Sequence, residues 1–293
     1  MPTQQKHKKR NKVARGIEYN HGLQQQLARK IKRLMEDFNK SVINITISTL
    51  KDKGYIGNND VKLVQDGYFD YVRELERLFK NNFGKWLTAL QLKAKDLFKW
   101  FSKRATIDTV RAQRDALIKA GLGKQYLRDK WTVPITRGQY ISPQAMAKLE
   151  NMIVEQTALI TKIGSQELTH LQSYIAESLD QGLNVNELES VLVEFKEFDT
   201  ARAKRVAIDQ SIKINQNIQR ENNLSLGLTR AVWIHVPGQW YSRESHEKLN
   251  GKEYELEKGM WDPKAQKHIQ CGELPYCRCI YRIVIPETMR NDD

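Results

Sequence analysis

The side chains best suited to chemistry in this chain are concentrated near its end. The segment HIQCGELPYCRC, His268 to Cys279, holds every cysteine of the 293 residues. With His246 upstream, it supplies a pool of nitrogen and sulfur donors, His246, His268, Cys271, Cys277 and Cys279, of the kind zinc takes in tetrahedral sites. Cys277 and Cys279 have only Arg278 between them. That spacing is tight for two thiolates on one ion, although alternate residues on one face of a strand can both point inward. The same residues admit a second chemistry, because a Cys277 thiolate beside a His246 base is a nucleophile pair. Neither an oxyanion-hole signature nor a third orienting residue can be assigned to it. A third reading involves no chemistry: Cys277 and Cys279 are small buried residues on an inward strand face, with His246 hydrogen-bonded nearby, and the segment closes a small domain. A redox pair is the weakest reading, since Cys-x-Cys lacks thioredoxin-like spacing and neighbouring strand residues make a poor disulfide.

These residues need elements to position them. The stretch CRCIYRIVI alternates, so Cys277, Cys279, Tyr281, Ile283 and Ile285 share one face and Arg278 and Arg282 the other. Two further strands are expected, one over Thr229 to Val236, followed by a Pro237-Gly238 turn, and one in KEYELE. Upstream the periodicity is helical. Leu27, Ile31, Leu34 and Phe38 recur at three- and four-residue spacing, and a second face runs through Tyr71, Leu75, Leu78, Phe79, Phe83, Trp86 and Leu87 to Leu90, Leu97, Trp100 and Phe101. This aromatic stripe reads as packing rather than as a stacking platform for single-stranded nucleic acid. Gly121, Gly123, Pro134, Gly138 and Pro143 break the pattern. Ser142 then caps a new helix with Pro143 at its first position, and another helix covers roughly Asp199 to Asn222. Gly182 is expected to end one helix and Asn184 to begin the next.

The expected fold is a mainly α N-terminal region with long helices and a small α+β C-terminal domain with short antiparallel strands. The expected boundaries are a basic disordered arm over residues 1–22, a helical region over 23–141, and a C-terminal domain over 142–293, with helices over 142–225 and the small α+β closing part over 226–286.

Composition limits the partners. Hydrophobic residues are 40% and charged residues 28%, which suits a folded, charge-rich protein. No apolar run approaches the roughly 20 residues needed to cross a bilayer, and the basic N-terminus has no apolar stretch behind it, so neither signal peptide nor anchor is expected. The net charge of +13 favours an acidic partner. Lys6, Lys8, Lys9, Arg10, Lys12 and Arg15 make the first residues a candidate arm for phosphate neutralisation, with salt-sensitive and sequence-blind affinity. Arg243, Arg278 and Arg282 suit either DNA phosphates or carboxylates such as Glu244 and Glu273; for Arg243 and Arg278 a structural ion pair is favoured.

Taken in order, ARAKRVAIDQSIKINQNIQRENNLSLGLTRAVWIHV, SRESHEKLNGKEYELEKG and CGELPYCRC resemble the C-terminal domain of phage Mu F-like head morphogenesis proteins. The matching positions are Arg202, Ala203, Ala207, Asp209, Gln210, Gly227, Trp233, Arg243, Ser245, His246, Leu249, Asn250, Gly251, Pro275, Cys277, Arg278 and Cys279, within about Asp180 to Pro286. Ile208, Gln239 and Tyr241 depart from the family pattern, each standing where members often carry an Arg or an Asp-x-Arg. The resemblance implies a minor head protein associated with the portal, acting in procapsid assembly and in contact with packaged DNA. Portal and other procapsid components would be the partners, with no membrane. The place would be the virion head, and the host cytoplasm during assembly. It implies no catalytic reaction, and the donor pool itself allows at most one structural zinc as cofactor. The alternative is a metal-dependent enzyme acting on nucleic acid, centred on His246 and Cys277/Cys279.

Overall fold

The structure, a computed structural model, describes residues 11–53, 65–180, 192, 195, 197–237 and 242–290. It is mainly helical, with long N-terminal helices and a C-terminal region of short antiparallel strands. The long helices are α1 (His21–Asp52), α2 (Gln65–Lys119), α4 (Pro143–Asp180) and α5 (Thr200–Ser225); α3 (Lys124–Lys130) and α6 (Glu244–Glu247) are short. The strands are β1 (Lys12–Val13), β2 (Val133–Thr136), β3 (Gln139–Ile141), β4 (Arg230–Ile234), β5 (Glu253–Glu255), β6 (Met260–Asp262), β7 (Lys267–Ile269) and β8 (Ile280–Ile285).

The chain forms two compact units. One comprises Gln26–Lys99 and Ile153–Lys204, the other Met1–Gln25, Trp100–Met152 and Arg205–Asp293. The division departs from the linear boundary near residue 141, because each unit draws its core from segments far apart in sequence. In the first unit Leu27, Ile31, Met35 and Phe38 are buried along one face of α1, and Leu75, Phe79, Trp86, Leu90 and Phe98 along α2. Phe79 and Trp86 of the aromatic stripe are therefore core, with Phe83 half-buried; the Phe79 and Trp86 rings meet edge to face with centroids 5.5 Å apart. A Cβ on Gly164 of α4 would collide with Leu90, so the bare backbone there allows the close approach of α2 and α4.

In the second unit α4 starts as its sequence dictates: Ser142 Oγ accepts the Ala145 N–H at 3.1 Å, with Pro143 in the first helical turn. Helix α5 opens within the first unit, on an Asp199 carboxylate that accepts the Ala201 N–H at 2.7 Å. It ends in a Schellman motif, with Gly227 at φ 73°, Leu228 N–H donating to the Asn223 carbonyl and Gly227 N–H to that of Leu224. The polar face NQNIQRENN of α5 is buried in a network. Gln113 Nε2 donates to Asn223 Oδ1 (2.9 Å) and to the Gln219 carbonyl (3.0 Å), and Asn222 Nδ2 donates to Gln113 Oε1 (3.1 Å). Asn222 Oδ1 accepts the Ser142 N–H (3.0 Å), and Asn223 Nδ2 donates to the Tyr281 hydroxyl (3.1 Å).

The main sheet is antiparallel in the order β1-β8-β4-β5, with Trp233 opposite Tyr281 and Ala231 opposite Tyr254. β2–β3 and β6–β7 are separate hairpins. Two expectations change here. The segment ahead of α1 is not a free arm throughout: Lys12 and Val13 pair with β8, Ala14 is buried, and the Ile17 carbonyl accepts from Asn215 Nδ2 at 2.9 Å, because β8 would otherwise leave an open edge. Lys6, Lys8, Lys9 and Arg10 lie outside the described residues, as do Gly182 and Asn184. The last strand starts at Ile280 rather than at Cys277, since Tyr276 takes a left-handed φ of 60° and turns the chain.

Candidate metal centre

Three segments converge beneath the sheet. α6 is a single turn in which the His246 N–H donates to the Arg243 carbonyl at 2.9 Å and the ring points inward. Arg243 fixes the facing loop by donating to the Pro275 carbonyl at 2.9 Å. The cysteine arm is held from α5, where Asp209 Oδ1 accepts the Tyr276 N–H at 2.9 Å, and by the Cys277 N–H bonded to the Leu274 carbonyl at 3.0 Å. Arg278, between the cysteines, reaches Tyr19 on the other side.

The Asn250-Gly251 turn ties these pieces to β4. Gly251, at φ 77°, donates its N–H to the Trp233 carbonyl at 2.8 Å, and Asn250 Oδ1 accepts the His235 N–H at 3.0 Å. Trp233 has no exposed surface and packs edge-on against the His246 ring, centroids 5.5 Å apart. The Trp, the Asn-Gly turn and the histidine thus form one packed unit.

His246, Cys277 and Cys279 are 1%, 4% and 1% exposed, so their donor atoms sit in a dry interior. His246 Nδ1 lies 3.4 Å from Cys277 Sγ and 3.6 Å from Cys279 Sγ. All three donor atoms fall within 4.8 Å of one another, a group that could hold a metal ion. Electrostatics split the two thiols. The Cys279 S–H bond to Cys277, followed by the His246 bond, outweighs burial and holds the Cys277 thiol well below its ordinary value. The Cys279 thiol is driven up by that same bond and by burial, because a second negative charge beside the first is unfavourable. A cation bound between them removes that conflict.

The remaining side of His246 meets Asp262 in the β6–β7 hairpin. His246 Nε2 is 3.3 Å from Asp262 Oδ2, both side chains being almost wholly buried. Burial alone would raise the Asp262 carboxyl. The Lys264 and Ala265 N–H groups, the Ser245 hydroxyl and His246 outweigh it, so the group is held below the usual carboxylate range and stays charged. Gly259 sets the start of this hairpin. It has φ 83°, and a Cβ there would stand 2.5 Å from the Ile269 carbonyl oxygen. Gly259→Ala is expected to destabilise the protein by about 1–3 kcal/mol, read as a lowered urea midpoint; an unchanged midpoint would show that the hairpin relaxes freely.

Two members of the expected donor pool lie elsewhere. His268 is exposed on β7 with its ring 5.4 Å from that of Trp261, since the hairpin turns it outward. Cys271 is buried, but its Sγ donates to the Ile280 carbonyl at 3.2 Å and lies 3.9 Å from the Tyr254 hydroxyl. Burial raises its thiol well above the ordinary value, so it stays protonated. Two residues at the centre were absent from the sequence-derived pool, His235 and Asp262. His235 had a signal: two residues after Trp233 in an alternating strand, it falls on the same face. Asp262 had none, because only the hairpin fold brings it to His246. No family model, curated protein or solved structure matches the chain.

Proposed function

We propose that this chain is a non-enzymatic head assembly protein of a tailed phage, associated with the portal during procapsid assembly, whose C-terminal part is a compact interaction module held by one structural zinc ion. The observation that carries the reading is that the residues of the Mu F-like resemblance do architectural work around one buried centre. Trp233 packs on His246, Asn250 and Gly251 clip the turn to β4, Arg243 holds Pro275, and Cys277 and Cys279 face His246. Zinc suits this donor set, one imidazole and two thiolates. The rival, a metal-dependent enzyme acting on nucleic acid, needs substrate at the ion, and burial of all three donors disfavours that.

Surplus positive charge supports a contact with packaged DNA. Arg111, Arg114, Lys119, Lys124 and Arg128 line a groove of about 980 Å³ in which Asp115 is the one acidic side chain. Lys12 and Arg15 are exposed beside β8 and add to the basic surface. Such surfaces bind phosphate with steep salt dependence. No helix among the described residues is long and apolar enough to cross a membrane.

Capture of the intact chain on portal protein and on procapsid components tests the reading. Retention by the portal at physiological salt is expected. Failure of both the portal and assembled procapsids to retain it would remove the assembly role.

A further inference from the structure

We infer that His235 is the fourth ligand of the metal, making the centre a closed two-cysteine, two-histidine zinc site. The inference rests on the zinc reading above and decides what kind of site it is. Zinc with three protein donors keeps a position open for water and chemistry, whereas four protein donors close the sphere and leave a structural ion.

The spacing carries the inference. Zn–S bonds of about 2.3 Å and Zn–N bonds of about 2.0–2.1 Å at tetrahedral angles place each nitrogen about 3.6 Å from each sulfur. The separations are 3.4 Å and 3.6 Å from His246 Nδ1 to the two sulfurs and 3.5 Å from His235 Nδ1 to Cys279 Sγ. Both imidazoles thus present Nδ1 to Cys279 Sγ at ligand spacing; His235 stands outside the mutual 4.8 Å group of His246, Cys277 and Cys279, so a shift of its ring toward the ion completes the sphere.

The far side of each ring is an independent observation. A metal-bound histidine is oriented by a polar group on its other nitrogen. His246 Nε2 lies 3.3 Å from the Asp262 carboxylate, and His235 Nε2 lies 2.9 Å from Ser242 Oγ and 3.8 Å from Glu247 Oε1. Neither His268 nor Cys271 has this arrangement; one is exposed and the other is engaged with the Ile280 carbonyl. Charge balances at the ion itself, where two thiolates offset a divalent cation and the displaced thiol protons go to solvent, while the Asp262 carboxylate remains beside His246 Nε2 as its charged acceptor.

His235 further explains how a centre on three loops becomes rigid. It stands just past the end of β4, the strand that pairs with both β5 and β8. A bond from its ring to the ion ties the sheet to α6 and to the cysteine arm.

The test uses the full chain, purified without chelator, with zinc measured by elemental analysis and cobalt(II) as a spectroscopic substitute. One zinc per chain and the intense visible bands of four-coordinate cobalt with thiolate charge transfer are expected. His235→Ala should weaken zinc binding about tenfold or more and shift the cobalt bands as water enters. His235→Cys, which restores a donor, should keep the ion and strengthen the thiolate charge-transfer band. His268→Ala and Cys271→Ser should leave affinity and spectrum unchanged. Normal metal binding with His235→Ala indistinguishable from the parent overturns the fourth ligand and leaves the zinc reading standing. Loss of metal in Cys271→Ser or His268→Ala, with the fold retained, overturns the donor set. No zinc or cobalt bound by the parent chain removes the zinc reading itself, and this inference with it.

Discussion

Chelating the proposed zinc is expected to lower the unfolding temperature of the sheet-containing unit, and His246→Ala to lower it further. The reason is linkage: an ion that binds only the folded state stabilises it by about 2.7 kcal/mol at a free concentration 100 times its dissociation constant. Structural zinc binds far more tightly than that comparison requires, so several kcal/mol are at stake. His246→Ala adds two losses. The Trp233 ring loses its edge contact at 5.5 Å, and Asp262 keeps a buried charge whose imidazole partner is gone. The Lys264 and Ala265 N–H groups still hold the carboxylate, so the loss is that of one partner to a buried charged group, about 1–3 kcal/mol. Calorimetry with and without chelator reads the first effect. Amide exchange locates it, with faster exchange expected in β4 and β8 and little change in residues 26–99 of the helical unit. A melting curve indifferent to chelator in the parent chain would sink the structural role of the ion.

Asn222→Ala is expected to cost about 2–4 kcal/mol, with no metal involved. Its amide links two elements, accepting the Ser142 N–H ahead of α4 and donating to Gln113 Oε1 on α2. Truncation orphans a buried donor and a buried acceptor at once, and each such group costs about 1–3 kcal/mol. Gln113→Leu breaks the same network from the other side by removing the donor to Asn223 and to the Gln219 carbonyl. The double variant should therefore lose less than the sum of the two single losses, since the residues share a network. Urea midpoints of the four proteins decide it. Strict additivity, or a cost for Asn222→Ala below about 0.5 kcal/mol, would mean that water replaces the lost bonds.

Local signals were legible in the sequence wherever a residue's own chemistry settles its conformation. Ser142-Pro143 starts α4, the spacing of Leu27, Ile31 and Phe38 puts them on one buried face, and the alternation of Tyr281 and Ile283 survives in β8. The outward-facing Lys12 and Arg15 were equally legible as basic, but their anchoring was not. Pairing of Lys12 with Ile285 spans nearly the whole chain, and no local pattern encodes it.

By itself, the sequence determined the mainly helical class with short antiparallel strands toward the end, the clustering of thiols there and the basic surplus, because propensity, periodicity and net charge are properties of neighbours along the chain. Tertiary structure alone decided which donors meet. It turned His268 outward and occupied Cys271, and it brought His235 from the end of β4 and Asp262 from a separate hairpin to the two rings' distances from sulfur and carboxylate. The physical reason is that a metal site needs directed contacts at about 3.5 Å among side chains that loops present, and loop paths follow from packing and turn geometry rather than from spacing in sequence.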